Sequence, residues 1–537
     1  MNVISLDAPT EGWNAFDSMD NMPPTAAVIL NNFIPGAGRV DTRKGHIIYA
    51  DLETGEPVDT LASYNPSTDT AKLLAASAGG IWELTDPPAA YKADLVGQQA
   101  IAIDELKPIG TYANSQWQFA NFQKADEIGI MTFCNGVDTT QIYNGTTIID
   151  INITGTDPVL ELDPTFIGCL TFKGRMYYWL PEDNAFYYAQ AGSYQGELQR
   201  FDLGTFVQQG GFITTVFSWT QQDAGHGRDD FIVFVFSTGE VLVYQGDDPQ
   251  TAGYWEQVGR YRTAEPLSIR GYVNYGADAI LMTKDGYVSM ASVIQEGRTS
   301  DVPAFSRLIH EAVIERTRYS LNIYGWDVVL FQREGLLLFN IPLSETTYEQ
   351  HVMNTVTMRW CRFNSLDTRC LEVHEERLFG GSPDGKVLAL LETTADNDRP
   401  ITFDCLYAFN YLSDPGYRKH VTAAQILSTH SNPQEINVSA WADYNVPYLS
   451  PIDLPSAITS ATWSPTPPDP PPAPQPLAGS FWDTDYWSGE GVPFTSKGWQ
   501  NVSALGYAVA LLVRFAKINE SVIWRSTGVR FHQIGAQ

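Results

Sequence analysis

The stretch IVFVFSTGEVLVYQG, Ile232 to Gly246, decides the fold. Apolar residues alternate along two short runs on either side of Thr238-Gly239, which is the strongest short-range signal for a β-hairpin. The same unit returns six more times. It reads LLAASAGGIWEL (Leu73 to Leu84), IMTFCNGVDTTQIYNG (Ile130 to Gly145) and LTFKGRMYYWL (Leu170 to Leu180) before this copy. After it come AILMTKDGYVSMA (Ala279 to Ala291), VVLFQREGLLLFNI (Val328 to Ile341) and RLFGGSPDGKVLALL (Arg377 to Leu391). A recurrence every roughly 40 to 60 residues lies in the range of repeats that build propellers or arrays. One hairpin cannot hide both faces, so copies must pack face to face. Radial packing leaves only short edges exposed. The expectation is therefore a mainly β chain with a seven-bladed β-propeller, stacked sandwiches being the alternative.

Composition agrees with a large β core. Of 537 residues 44% are hydrophobic, with 14 Trp, 26 Tyr and 26 Phe, and 43 Gly and 32 Pro supply turns. The five cysteines, Cys134, Cys169, Cys361, Cys370 and Cys405, form no CxxC pair and are odd in number, so they read as small buried apolar residues and not as a disulfide scaffold. The opening MNVISLDAPTEGW has neither a basic nor an apolar leader region. The most apolar run, Ala504 to Val513, is too short to span a bilayer and reads as a buried strand. The expectation is a chain made and folded in a reducing cytoplasm, with no membrane span.

Charge is one-sided: 62 acidic residues face 33 basic ones, for a net −29. From Ile401 onward there are 10 acidic and 7 basic residues, so nearly all of the excess lies earlier. Solubility is one reading. The other is that such a surface does not grip nucleic acid, because phosphate binding requires Lys and Arg. Repulsion is useful where DNA must pass without sticking.

Three regions follow. Residues 1–45 form a turn-rich arm: Pro23 and Pro24 break any helix, Ala27 to Phe33 read as one short strand, and Gly36, Gly38 and Gly45 mark turns. By position, the arm is expected to complete the last blade and close or brace the ring. Residues 46–395 carry the seven hairpins, with one helical insertion near 301–319. There Ser300 and Asp301 are capping candidates and Pro303 sits near the first turn. Phe305, Leu308, Ile309, Ala312 and Val313 make an apolar stripe opposite Arg307, Glu311, Glu315, Arg316 and Arg318. Residues 396–537 lose the hairpin period; longer strands suggest a β-sandwich-like platform domain carrying a Pro-rich loop, 448–479, that favours polyproline II.

A search for chemistry returns little. The eight histidines (His46, His226, His310, His351, His374, His420, His430 and His532) form no HExxH and no zinc spacing. HGRDD (His226 to Asp230) reads as a solvated turn. DNDRP (Asp396 to Pro400) and DTDYWSGEG (Asp483 to Gly491) lack the Gly and closing Glu of a calcium loop and read as turns. GxSxG, GxxxxGK[ST] and post-strand GxGxxG motifs are missing. No catalytic, cofactor-binding or metal-ligating residue is assigned, no cofactor is expected, and the chain does not read as an enzyme.

One stretch, Phe339 to Thr429, carries a family resemblance. Gln350, His351, Val352, Met353, Asn354, Thr355, Trp360, Cys361, Arg362 and Phe363 match a "QyVMNt-x-T-x-x-WcrF" pattern. Leu378, Phe379, Gly380, Gly381, Asp384, Gly385, Lys386 and Val387 match a following "LyFG…dGkVy" hairpin, and Ala408, Phe409, Asn410, Tyr411 and Lys419 a later strand. These resemble tail proteins of short-tailed, podovirus-type bacteriophages, the tail nozzle or tail tubular protein B family. The arm and LMTKDGYVSMASV are similar to segments of the same proteins; Tyr287, where the family has a smaller apolar residue, and the Pro-rich insertion depart from it. The resemblance implies a propeller joined to a sandwich platform and a structural protein of the virion tail. It further implies a homo-hexameric ring below the portal-adaptor (head-tail connector) ring, around the channel through which viral DNA leaves without sequence recognition. Tail fibres or tailspikes would dock outside. Two other readings stay open: a host-surface polysaccharide-binding propeller, and a capsule-degrading enzyme.

Overall fold

A computed structural model describes the chain apart from residues 1, 68–69, 85–102, 108–109, 125–128, 156, 163, 224–226, 252, 297–302, 413, 431–435, 450–493, 497, 518–520 and 536–537. Strand dominates and helix is scarce. Each of the seven hairpin segments is an antiparallel pair: Lys72–Ser77 with Gly80–Leu84, Ile130–Cys134 with Gln141–Tyr143, Gly168–Phe172 with Arg175–Trp179, and Gly227–Phe236 with Glu240–Gly246. The remaining three are Asp278–Thr283 with Gly286–Ser289, Asp327–Phe331 with Leu336–Pro342, and Arg377–Gly381 with Lys386–Thr393. The turn chemistry explains them. Lys173 and Gly174 both adopt positive φ (45° and 70°), the two-residue geometry whose twist matches that of the flanking strands. At Gly239 (φ 79°) a Cβ would lie 2.2 Å from the Thr263 carbonyl oxygen, so the turn also requires the missing side chain.

The hairpins fall in seven different sheets, most of them four-stranded. The sheet containing Tyr272–Tyr275 has three strands and is followed by a helix, Met290–Glu296, that the sequence reading did not foresee; its Met290 and Val293 are buried on the sheet. The leading strands are spatial neighbours in cyclic order. Val58–Tyr64 touches Gln118–Phe122, which touches Gly168–Phe172, which touches Ile213–Asp223. That strand meets Asp278–Thr283 of the next sheet, Tyr272–Tyr275 meets Asp327–Phe331, Asp327–Phe331 meets Cys370–His374, and Cys370–His374 returns to Val58–Tyr64. Separate apolar clusters fill the spaces between successive sheets. Tyr64, Trp117, Phe133 and Tyr143 pack between the first two, and Tyr177, Phe186, Phe234 and Trp255 between the third and fourth.

The arm behaves differently from the expectation that it completes the last sheet. The strand that pairs with Lys386–Thr393 is Gly45–Asp51, at the very end of the arm. The arm proper is sewn into two large sheets. AAVILN (Ala26–Asn31) is apolar on both faces and runs centrally, beside Arg359–Asn364 and Ile401–Tyr407. Instead of one strand from Ala27 to Phe33, the chain breaks at Asn32 (φ 62°) and continues as Phe33–Gly36 in the other large sheet.

The first large sheet runs Asp327–Phe331, Leu336–Pro342, Tyr348–Asn354, Arg359–Asn364, Ala26–Asn31, Ile401–Tyr407, Val509–Lys517, Asn437–Ala442. One of the seven hairpin sheets is thus continuous with the C-terminal strands. The second is built around Arg418–His430 and Val522–Ile534, with Asn2–Asp7, Phe33–Gly36, Arg39–Thr42, Phe494–Ser496 and Trp499–Gly506. Phe33, Phe403, Phe515 and Trp524 pack between the two layers, the rings of Phe403 and Phe515 stacking at 4.9 Å. The apolar run Ala504 to Val513, expected as one buried strand, is divided by a bend at Tyr507-Ala508: Ala504 to Gly506 end the strand Trp499–Gly506 of the second large sheet, and Val509 to Val513 begin the buried strand Val509–Lys517 of the first.

The helix expected near 301–319 is the 3-10 turn Arg307–Ile309 followed by the α-helix His310–Ser320. The capping candidates Ser300 and Asp301 lie outside the described residues. Ile309 and Val313 of the stripe are buried, and Phe305, Leu308 and Ala312 pack beside them. The arm covers this helix, with Ala15 N donating to the Leu308 carbonyl at 2.7 Å and Arg307 paired with Asp17 at 3.3 Å. Of the Pro-rich loop, only Tyr448 and Leu449 are described; 450–479 lies outside, as does DTDYWSGEG.

Candidate functional site

A cavity of about 460 Å³ opens where the leading strands converge. Its position follows from the topology. Gln116, Ile167, Leu267, Tyr324 and Arg369 each stand just before the leading strand of a different sheet, so they gather at one end of the hub. Asn135 and Glu345, at the far ends of return strands, come to the same end. The lining mixes amides (Gln116, Gln118, Asn135, Asn322) with aliphatic side chains (Ile167, Leu267, Ile269, Leu321, Ile323) and the aromatic Tyr324 and Trp326.

One guanidinium organises the mouth. Arg369 donates through Nε to Asp59 Oδ1 at 2.7 Å and through Nη1 to Glu345 Oε2 at 3.2 Å, with its plane 5.3 Å from the Tyr324 ring. The Tyr324 hydroxyl donates to the Asp59 carbonyl at 2.8 Å. Burial raises the Asp59 carboxyl against the pull of Arg369. Two carboxylates sharing one guanidinium are clamped; they form no acid–base pair aimed at a common point.

Deeper in the hub Arg270 lies 3.4 Å from Asp327 and 6.0 Å from the centre of the Phe119 ring. Asp327 also accepts from the backbone N–H groups of Leu371, at 3.0 Å, and Val328, at 2.9 Å, which ties the leading strands of two sheets together. Glu372 shares this space. Burial, with the Asp327 charge adding to it and Arg270 opposing, pushes its carboxyl up to about 8, so it holds a proton at neutral pH. This deeper part of the hub thus holds a neutral acid and one ion pair. It offers hydrogen bonds to polar groups and little net charge.

None of these residues was singled out from sequence. They are scattered by whole repeats, and their shared signal is placement beside or on the leading strand of each unit. The residues that carried the resemblance are mostly internal. Gln350 Nε2 donates to Asn340 Oδ1 and to the Leu366 carbonyl, both at 2.8 Å, while Asn354 Oδ1 accepts from Val356 N at 2.9 Å to form a turn. Trp360 is buried against Tyr287 and Phe339. Tyr287, the departure, stacks on Phe339 at 3.9 Å. Its hydroxyl is hydrogen-bonded to His351 Nδ1 at 3.0 Å. Glu349 beside His351 is held down at about 2: burial opposes this, but the His351 contact, Arg362 and Arg316 outweigh it.

The other candidates resolve individually. DNDRP is a turn, with Asn397 and Asp398 at positive φ, and its Asp396 is a buried partner of Arg43 and His46. His374 bonds Ser63 Oγ at 2.8 Å, His420 and His532 are register partners on the outer sandwich sheet, and His310 and His430 are buried. Of HGRDD, expected as a turn, His226 lies outside the described residues, and Gly227 to Asp230 instead begin the strand Gly227–Phe236, paired with Thr220 to Asp223. All five cysteines are buried and unpaired. Among the described residues, no group of three His, Cys, Asp or Glu is placed to hold a metal ion, and no helix is long and apolar enough to cross a membrane.

No protein-family profile matches the chain, and neither does any curated protein sequence. Solved structures show faint likeness. The BBS1N chain of a complex with ARL6DN is 10% identical, with a TM-score of 0.39 over 67% of this chain and 99% of that one. PorZ, a bacterial surface component of the type-IX secretion system of Porphyromonas gingivalis, is 10% identical, with a TM-score of 0.36 over 70% of this chain and 45% of its own. The computationally designed Ika8 protein is 11% identical, with a TM-score of 0.29 over 67% and 96%. Values this low carry no argument about function. What the chain defines by itself is a mainly β protein of many small sheets joined to a two-layered sandwich.

Proposed function

We propose that this chain is a structural protein of a bacteriophage virion, the tail nozzle of a short-tailed phage. In this reading the six small hairpin sheets, together with the part of the first large sheet formed by Asp327–Phe331, Leu336–Pro342, Tyr348–Asn354 and Arg359–Asn364, are the blades of a seven-bladed propeller, and the rest of the two large sheets is the platform. Six copies form a ring below the portal-adaptor ring, surround the channel through which DNA leaves, and carry fibres or tailspikes outside. The protein is synthesised in the bacterial cytoplasm and resides in the virion tail.

The observation that carries the reading is where the family-like residues lie. Gln350 to Phe363 and Ala408 to Lys419 fall at the seam where one hairpin sheet runs on into the sandwich. A continuous hydrogen-bonded sheet across that seam suits a wall that must withstand pressure, because close-packed interiors deform little. The acidic excess of −29 supports a lumen from which DNA phosphates are repelled.

A second reading has one observation behind it. The polar, aromatic-edged cavity at the hub suits a glycan, so a polysaccharide-binding propeller is the alternative, with capsule degradation as its enzymatic extension. Immunogold labelling of this chain on negatively stained particles tests both. Label at the tail tip, with six-fold density in averaged views, supports the nozzle. Absence of the chain from particles, together with capsule binding or depolymerase activity by the purified protein, overturns it.

A further inference from the structure

The outer face of the second sandwich sheet is chemically unlike the rest of the molecule. Its strands Arg418–His430, Trp499–Gly506 and Val522–Ile534 contain no Asp or Glu and carry Arg418, Arg525 and Arg530 on that face, while Lys419 points the other way and is buried, its Nζ donating to the Asp414 and Tyr507 carbonyls. In a chain of net −29, the whole acidic excess therefore lies elsewhere. Among the described residues no ion pair joins Arg418, Arg525 or Arg530 to a carboxylate; the acids on the sheet's other strands include Asp7, opposite Ser526, and Asp41, which pairs with Arg39 and feels Arg525 at longer range.

The register builds these cations into one surface. His420 sits between its register partners Leu505 and His532, so an apolar–imidazole–imidazole row crosses three strands. One row along, Arg530 lies opposite Val3 and stacks on Trp499 with its guanidinium carbon 4.1 Å from the ring centre. Trp499 lies across the sheet over Gly528, where a Cβ would meet its ring at 3.2 Å. Val3, Leu505 and Ile534 are 62%, 45% and 47% exposed, and Trp499 is 37% exposed. Exposed Arg and Trp on a flat, partly apolar face is the composition of a protein–protein contact.

We infer that this face docks an acidic surface of a second copy of the same chain. The inference rests on the ring-forming reading above and adds which surface makes the contact. Charge complementarity selects the occupant: a basic face on an otherwise acidic molecule attracts the remainder of its own kind, and the two different patches meet head to tail. A DNA duplex fits less well, because few cations are spread among exposed apolar side chains.

Sedimentation velocity of the full chain over a concentration series, at low and high salt, tests this. The expected result is self-association that weakens as salt rises, and that weakens about tenfold or more in Trp499→Ala/Arg530→Glu, the loss of a stacked aromatic anchor and a charge. Lys173→Glu, a charge reversal on a distant hairpin turn, leaves association unchanged. Near-UV circular dichroism confirms folding, and His532→Glu, at an exposed position, is the milder second variant with the same direction of effect. Association that both variants leave intact overturns the inference while the ring reading stands. A monomer under all conditions overturns the inference, and the ring reading is then judged by the particle labelling. Duplex DNA bound by the wild type and released by the variants would replace the protein partner with nucleic acid and also overturn it.

Discussion

Arg43 meets Asp396 through both ends of its guanidinium, Nη2 to Oδ2 at 2.6 Å and Nη1 to Oδ1 at 2.8 Å. This fork joins the arm to the turn that leaves the last hairpin sheet, beside the strand Gly45–Asp51 that completes that sheet. His46 adds a contact to Asp396 at 3.1 Å, and Arg43 Nε reaches Asn32 Oδ1 at 2.8 Å. Asn32 is the residue at which the arm crosses between the two sandwich sheets. The strand that completes the last hairpin sheet and the two sandwich sheets are therefore fastened at one point.

Replacing Arg43 by Met leaves the Asp396 carboxylate buried without its partner. A loss of about 3–5 kcal/mol is expected in urea unfolding, the usual result of removing one member of a buried pair. Burial works against the Asp396 charge, yet Arg43 and the His46 hydrogen bond hold its carboxyl at about 2, below the ordinary 3.8. The depressed value stabilises the fold above pH 3.8, and that contribution fades as pH falls through 2. An acid-unfolding profile of Arg43→Met that matches the wild type would refute this.

Glu372 gives the opposite pH dependence. Its carboxyl is raised from 4.5 to about 8, so the folded chain holds this proton more tightly than the unfolded chain. The resulting stability is complete below pH 4.5 and declines as pH rises toward 8. Glu372→Gln keeps the neutral shape, so its melting temperature exceeds the wild type's above pH 8 and converges with it near pH 4.5. Parallel melting curves for the two proteins across that range would remove Glu372 from the argument.

Tyr287→Phe preserves the stack on Phe339 and removes the hydroxyl from His351 Nδ1. A buried imidazole nitrogen then lacks a partner, at a cost of about 1–3 kcal/mol. Tyr287→Ala also empties the stack and costs about 3–5 kcal/mol, as large-to-small aromatic changes do. Equal losses for the two variants would show that the hydroxyl, not the ring, holds this seam.

Gly45 opens the closing strand, and a Cβ there would lie 1.9 Å from the Ala395 carbonyl oxygen. Gly45→Ala therefore pushes that strand off its partner. Hydrogen exchange should show faster exchange of amides in Gly45–Asp51 and Lys386–Thr393 together, with Gly227–Phe236, on the far side of the ring, unchanged. Uniform acceleration across all sheets would mean that the strand does not close anything locally.

The hairpins were legible because their cause is local. Thr238-Gly239 or Lys173-Gly174 between alternating apolar residues fixes turn, register and buried face within a dozen positions. The stripe of Ile309 and Val313, the apolar strand ending near Arg514 and the buried cysteines follow from equally short-range patterns. By contrast the hub cavity draws on residues from Gln116 to Arg369, and each looks like an ordinary turn or strand residue where it stands. The basic face was hidden for the same reason: Trp499 and Arg530 lie 31 positions apart in the chain, and only the pairing of Val522–Ile534 with Arg418–His430 brings them together.

By itself the sequence determined the repeating unit, since alternation and turn residues act over a few bonds and need no distant partner. Tertiary structure alone decided which strand closes the last sheet, that the arm divides at Asn32 between two layers, and that cations gather on one outer face. Those outcomes depend on contacts between segments hundreds of residues apart. Their selection rests on burying apolar faces and pairing buried charges such as Arg43 and Asp396, which no local pattern encodes.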